Sequence, residues 1–147
     1  LTASPDDPNR TIVGFFPFDT RRVELPIELD IDTRSIGGPS AGLAFTLTLI
    51  DGLTEGELTG GMRVAVTGTI ELDGSVGAIG GLRQKASAVA QNGVTVFLVP
   101  AAQSEDDLAA AREAGGEDLL IIPVATLEEA LDALADLGGD PIPPVDG

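Results

Sequence analysis

A serine lies in a glycine-rich turn of this chain, in a setting where serines can do chemistry. The stretch I-G-G-P-S-A-G-L-A-F at 36–45 places Ser40 after two glycines and a proline and before an apolar run. Ser40 can be the N-cap of a buried helix, because a hydroxyl accepts from the unpaired N–H groups of the first turn. It can also be a nucleophile, if a base activates it and those N–H groups hold an oxyanion. This stretch alone favours the cap.

Few residue types are left to act as that base. The chain has no histidine, cysteine, tryptophan or tyrosine, which excludes a Ser-His-Asp triad, a Cys-His pair, a disulfide and a His-ligated metal site. Seven of the eight basic residues are arginines, and a guanidinium is not deprotonated in proteins. With no histidine available, the amine of Lys85, the only lysine, is the natural substitute.

Lys85 falls on the apolar side of a predicted helix over 82–91. Residues 82, 85, 86 and 89 share one helical face, whereas Arg83 lies on a polar face. The lysine can snorkel, with its stem packed and its ammonium in water. Alternatively it is desolvated, and a neutral amine can then act as a general base. The rarity of lysine in this chain favours the second interpretation.

Composition narrows the class of protein further. A length of 147 residues suits one globular domain, and a net charge of −16 argues against nucleic acid or an anionic membrane as a partner. The acidic residues at 105–107 and 128–129 are interpreted as solvated helix starts, so we expect neither a metal nor a cofactor. No apolar run is long enough to span a bilayer. The start without methionine suggests a piece of a longer protein, whose missing part could carry a membrane anchor or a second domain.

The elements that position Ser40 and Lys85 follow from periodicity and turn signals. Residues 1–10 are interpreted as a linker and 140–147 as a disordered tail. The apolar segment from Ser40 to Leu53 predicts a buried helix that stops near Gly52. Asp73-Gly74 predicts a hairpin turn between two strands. The hairpin strands are predicted over 62–72 and 75–79, and further strands over 11–18, 23–32, 94–100 and 119–124. Further helices are predicted over 82–91, over 104–114 and from Thr126 to about Gly138.

Three motifs in this order resemble the proteolytic domain of the Lon proteases. They are Gly38-Pro39-Ser40-Ala41-Gly42, the hairpin stretch V-T-G-T-I-E-L-D-G-S-V-G-A-I-G-G at 66–81, and I-G-G-L-R-Q-K-A-S-A at 79–88. The resemblance extends over roughly 23–135 and implies the Lon α+β fold, with mixed sheets and packed helices, in a domain over 11–139. It also implies a polypeptide substrate and a homo-oligomer, commonly a hexameric ring. The chain has no Walker A motif and therefore no ATPase of its own.

The resemblance also assigns roles to residues. It implies that Ser40 is the nucleophile, that Lys85 is the general base, and that the Thr67 hydroxyl helps to position the lysine. The backbone of Gly38, Pro39, Ser40 and Ala41 would bind the oxyanion and the substrate main chain. With Ala41, the glycines, including Gly42, would let a substrate approach without a clash.

The sequence departs from many Lon proteins at two places. Gly37 stands where an acidic residue often precedes Gly-Pro-Ser, and Thr69 stands where many Lon hairpins have glutamate. The pattern is closer to bacterial proteins that join a membrane anchor and a PDZ domain to a C-terminal Lon-like domain. That similarity implies an extracytoplasmic location for this domain in a membrane-anchored protein; a cytoplasmic location is the alternative.

Two other functions fit parts of the sequence. A glycine-rich loop that opens a helix can bind phosphate, but no lysine or arginine follows closely and the protein is very acidic. A non-catalytic Lon-like module for assembly or peptide binding is the other alternative, because a fold does not guarantee a function. Thermal protection by a nucleotide would indicate the first. Inertness toward peptides and acylating reagents would indicate the second.

Overall fold

The structure of the chain is a computed structural model that describes residues 38–142 and two short strands near the N-terminus. The chain divides into two units, Leu1–Asp32 and Thr33–Gly147. In the first unit, strand β1 (Thr2–Ala3) pairs antiparallel with strand β2 (Thr11–Ile12). Most of the strand predicted over 11–18, and the whole strand predicted over 23–32, lie outside the described residues.

The second unit contains four helices and five strands among its described residues. Its first element is a 3-10 turn that leads directly into the first helix. The elements run Pro39–Ala41 (3-10 turn), α1 Gly42–Leu53, β3 Val64–Val66, β4 Thr69–Ile70, β5 Val76–Gly77, α2 Leu82–Gln91, β6 Val96–Pro100, α3 Glu105–Gly115, β7 Leu120–Val124 and α4 Leu127–Asp136.

A three-stranded parallel sheet in the order β3-β6-β7 forms the centre of this unit. The central strand β6 is buried along its whole length, which explains its unbroken apolar sequence V-F-L-V-P. Alternate side chains of β6 enter two separate cores. Leu98 packs with α1 and α4, whereas Phe97 and Val99 pack with α2 and α3. The sheet therefore has two helices on each face.

The strands β4 and β5 form a separate antiparallel hairpin. Its turn holds Asp73, which accepts hydrogen bonds from the Ser75 hydroxyl at 2.7 Å and the Ser75 backbone N–H at 2.9 Å. The hydroxyl is the main cause of a lowered pKa of the Asp73 carboxyl, because hydrogen bonds to a carboxylate favour its charged form. The hairpin packs closely on the start of α1. A Cβ added to Gly42 would lie 3.1 Å from Ile70 Cγ2 and 3.2 Å from the Ile70 backbone nitrogen.

The predicted fold class is confirmed, since the domain combines packed helices with both parallel and antiparallel sheets. The bounds of the 82–91 helix are confirmed without change. The helices that follow Ser104 and Thr126 begin as predicted, because the two hydroxyls accept from the backbone N–H groups of Asp107 and Glu129, respectively. The Asp73-Gly74 hairpin is also confirmed.

One predicted element was wrong. The single strand expected over 62–72 is two strands in different sheets, because the chain leaves the parallel sheet at Thr67 and Gly68. Helix α1 ends at Leu53, as the apolar segment predicted, one residue beyond Gly52. In the predicted tail, the backbone N–H of Asp140 donates to Glu57 O at 3.0 Å. Residues 143–147 lie outside the described part, and the domain bounds at 11 and 139 stay predictions.

Candidate active site

Ser40 lies in the 3-10 turn that precedes α1. The turn begins after Gly38, whose φ of +90° is a conformation that favours glycine. Gly38 and Pro39 are exposed, and Ser40 and Ala41 are half-buried. The interpretation of Ser40 as a helix cap is wrong. No side chain among the described residues caps the 3-10 turn or α1 by accepting a hydrogen bond from its first backbone N–H groups. The hydroxyl makes a different contact.

That contact joins Ser40 to Lys85. The Lys85 Nζ donates a hydrogen bond to the Ser40 Oγ over 3.2 Å. The predicted apolar face explains how the lysine reaches the serine. Leu82 and Ala86 of α2 are buried in the core beneath the sheet, and Lys85 is half-buried beside them, whereas Arg83 is exposed.

The backbone carbonyl of Ser40 is held by the segment that follows β3. It accepts from the Gly68 N–H at 2.9 Å and from the Thr67 hydroxyl at 3.0 Å. Thr67 is only 4% exposed. The described bond of the Thr67 hydroxyl is thus to the backbone of the serine. Its expected role in positioning the lysine stays a prediction.

Gly42 serves packing within the domain, which differs from its expected role. Its missing Cβ leaves room for Ile70 of the hairpin, as described above, and the next residue, Leu43, donates its N–H to Gly68 O at 3.1 Å. Gly68 also has no room for a side chain, because a Cβ there would lie 2.7 Å from Val76 Cγ1. Backbone hydrogen bonds therefore join the start of α1 directly to the segment after β3.

The site forms at the carboxyl end of β3, where elements from both faces of the sheet meet. Ser40 opens a helix that packs on one face, and Lys85 belongs to a helix that packs on the other. Carboxyl ends of parallel strands are frequent places for active sites in open α/β sheets. The geometry brings together a hydroxyl, an amine and the 3-10 turn that opens a helix.

One polar contact near this site had no signal in the sequence analysis. The side-chain amide of Gln103, in the loop between β6 and α3, makes two hydrogen bonds to the backbone of Ile79. Ile79 lies between the hairpin and α2. No spacing rule links a glutamine to a backbone 24 residues earlier, so only the tertiary structure reveals it.

The described residues contain no group of three or more side chains that could hold a metal ion. Among the same residues, no helix is both long enough and apolar enough to cross a membrane.

The fold and site together define a mixed α/β domain with a serine-lysine pair at the carboxyl end of a parallel strand. Residues 29–136 match the family model of the Lon protease (S16) C-terminal proteolytic domain. The chain therefore belongs to this family, as the three motifs predicted.

Several bacterial Lon proteases are similar to the chain. It is 36% identical over 94 residues to Lon protease of Clostridioides difficile strain 630, which covers 62% of this chain and 12% of that protein. It is 41% identical over 69 residues to Lon protease of Xanthomonas oryzae pv. oryzae, which covers 47% of this chain and 8% of that protein. It is 34% identical over 95 residues to Lon protease of Phenylobacterium zucineum, which covers 65% of this chain and 12% of that protein. The chain thus matches only about a tenth of the length of these relatives.

Proposed function

We propose that this domain is a serine endopeptidase that cleaves peptide bonds with Ser40 as the nucleophile and Lys85 as the general base. The contact of 3.2 Å between Ser40 Oγ and Lys85 Nζ carries the proposal. A nucleophile and a base within hydrogen-bond reach are the basic requirement of this chemistry. With no histidine in the chain, a lysine amine is the base available to the serine.

Acylation requires Lys85 in its neutral form. The amine lone pair then accepts the proton of the Ser40 hydroxyl while Oγ attacks the peptide carbonyl carbon. The resulting tetrahedral intermediate collapses when the protonated lysine gives its proton to the amine of the leaving peptide and the C–N bond breaks. Water then attacks the acyl-enzyme by the same route, which releases the acid product and restores the serine.

The 3-10 turn over Pro39–Ala41, which precedes α1, is suited to stabilise the oxyanion. The first two N–H groups of α1 itself, those of Gly42 and Leu43, already donate to Pro39 O and Gly68 O. Backbone N–H groups at a helix start carry a partial positive charge and point out of the helix. The exposed Gly38 and Pro39 leave this side open to a peptide. The two hydrogen bonds to the Ser40 carbonyl hold the turn in place, so its donors need little rearrangement during the reaction.

The first test is the mass of the intact protein after treatment with a fluorophosphonate, which phosphonylates activated serines with loss of fluoride. We expect one adduct on the wild-type chain, located at Ser40 by peptide mapping. Ser40→Ala removes the nucleophile and Lys85→Ala removes the base, so neither variant should react measurably. Lys85→Arg should fail as well, because it keeps the positive charge but cannot accept a proton.

Two control variants on α2 separate this chemistry from damage to the helix. Ser87→Ala removes a serine that bonds Gln91, and Arg83→Ala removes an exposed cation. Both should react like the wild type. An adduct of equal yield in folded Ser40→Ala or Lys85→Ala would contradict the proposed mechanism. A folded wild type that resists both the reagent and peptide substrates would favour the non-catalytic module.

The proposal extends to the larger protein only through the family. Polypeptide substrates, a homo-oligomer such as a hexameric ring, and the lack of an ATPase in this chain are all part of it. So are the membrane anchor and PDZ domain of the similar bacterial proteins, with the protease domain outside the cytoplasm. Fractionation of cells that express the whole protein, with protease protection of this domain, would test its location.

A further inference from the structure

The segment 78–81 connects the two halves of the candidate site. It follows β5, whose hairpin packs on the start of α1 close to Ser40, and it precedes α2, which carries Lys85. The path of this segment therefore helps to set where Lys85 lies relative to Ser40, together with the core packing of Leu82 and Ala86. A displacement of this connection by an ångström would lengthen the contact of 3.2 Å between the two side chains beyond hydrogen-bond reach.

Helix α2 lacks the side-chain N-cap with which α3 and α4 begin. Those two helices begin with a side-chain cap from Ser104 and Thr126. The residue before α2 is Gly81, in a left-handed conformation with φ +71° and no side-chain capping bond. The first turn, in which Lys85 N donates to Gly81 O at 3.1 Å, is thus not held in place by its own cap.

The Gln103 side chain, which lies outside segment 78–81, binds the backbone of that segment at Ile79. Its Oε1 accepts from the Ile79 N–H at 2.8 Å, and its Nε2 donates to Ile79 O at 3.1 Å. One amide thereby satisfies both backbone groups of Ile79, as a neighbouring strand would. Gln103 is itself anchored, since its N–H donates to Pro100 O at 3.3 Å and the next residue caps α3.

From this geometry we infer that Gln103 is a positioning residue for Lys85. This role rests on the proposed Ser-Lys mechanism. It requires no contact between Gln103 and the substrate. The side chain fixes Ile79, Ile79 fixes the entry into α2, and α2 presents the amine to Ser40. Only a primary amide of this length can both accept and donate here. Glutamate keeps the acceptor but not the donor at neutral pH, and alanine keeps neither.

The presence of a single lysine provides a direct measurement. In protein labelled with lysine that carries 13C at the ε carbon, Lys85 gives the only signal. Gln103→Ala should shift or broaden this signal in the folded protein. The rate at which Ser40 of this variant reacts with the fluorophosphonate should fall about 10-fold to 100-fold, the range expected when a catalytic group is misplaced by up to an ångström. Gln103→Glu should give a smaller change of the same kind.

Gln91→Ala is the matched control. It removes a glutamine that bonds Ser87 within α2 at 2.9 Å and does not touch Ile79. Its lysine signal and reaction rate should equal those of the wild type. If the loss of Gln103 only loosened the fold, its variants would melt earlier but would keep the wild-type signal and rate well below the melting temperature. That result would overturn the inference.

Failure of the proposed function has a different signature. A wild type that does not react at Ser40 would count against the enzyme, while the lysine signal would still report whether Gln103 controls the position of Lys85. If Gln103→Ala does not fold, Gln103→Glu retains the length of the side chain and one of its two bonds. An unchanged signal in folded Gln103→Glu would then contradict the inference.

Discussion

The hydroxyl of Thr67 holds the carbonyl of the residue proposed as the nucleophile. The bond to Ser40 O is 3.0 Å long, and the threonine is almost completely buried. The same carbonyl also accepts from the Gly68 N–H. Loss of the hydroxyl would leave the carbonyl with one partner and would let the 3-10 turn move, so Thr67 can affect both stability and reactivity.

We expect Thr67→Val to lower the free energy of unfolding by about 0.5–1.5 kcal/mol, the net value of one hydrogen bond. It should also slow the reaction of Ser40 with a fluorophosphonate about tenfold, because a displaced turn spoils the alignment of the nucleophile. Urea unfolding and time-resolved mass spectrometry measure the two effects.

Thr46→Val is the control for this substitution. The Thr46 hydroxyl also donates to a carbonyl near the start of α1, that of Gly42, at 3.0 Å and in a partly buried setting. This variant should leave the reaction rate unchanged. A Thr67→Val protein that reacts at the wild-type rate would mean that the bond to Ser40 has no role in reactivity.

At the scale of the elements, helix α1 contains two glycines with opposite surroundings. A Cβ on Gly42 would press on Ile70 of the hairpin at 3.1 to 3.2 Å, whereas a Cβ on Gly52 would meet no atom within 4 Å. An alanine is favoured over glycine within a helix by about 0.5–1 kcal/mol when it causes no clash. The same substitution should therefore have opposite signs at the two positions.

Gly52→Ala should raise the free energy of unfolding by about 0.5–1 kcal/mol and leave the reactivity of Ser40 unchanged. Gly42→Ala should lower it by about 1–3 kcal/mol, as expected for overpacking against a backbone nitrogen. It should also slow the reaction at Ser40, because the start of α1 would move away from the hairpin. Chemical denaturation and fluorophosphonate labelling of both variants measure these effects. Equal effects at the two positions would show that the close approach to Ile70 does not matter.

At the scale of the whole molecule, the net charge of −16 opposes the self-association that the family resemblance implies. Copies of the chain repel one another at low ionic strength, and salt screens this repulsion within a few ångströms. We expect sedimentation velocity to detect more oligomer at about 0.5 M salt than at about 0.05 M, since the Debye length falls severalfold between the two.

The opposite trend would mean that ion pairs between subunits hold the assembly together. A monomer at every salt concentration and protein concentration would contradict self-association of this chain by itself. Intact mass under native conditions gives the number of subunits where an oligomer forms.

The sequence by itself determined the local structure of most of the described domain. Periodicity and turn residues are local properties, so the bounds of the 82–91 helix, the Asp73-Gly74 hairpin and the caps at Ser104 and Thr126 were predictable. The absence of histidine and the presence of a single lysine favoured Ser40 and Lys85 as a pair. The three motifs also predicted the family, which the family model confirms. The catalytic roles of Ser40, Lys85 and Thr67 remain predictions.

Only the tertiary structure decided the contacts between elements that are distant in the chain. Alternation alone could not indicate that the strand expected over 62–72 divides between two sheets, because it does not record which strand each half pairs with. Nor could it assign the Thr67 hydroxyl to Ser40 O or the Gln103 amide to Ile79. Hydrogen bonds of this kind depend on the directions of side chains in three dimensions, and sequence spacing contains no record of those directions.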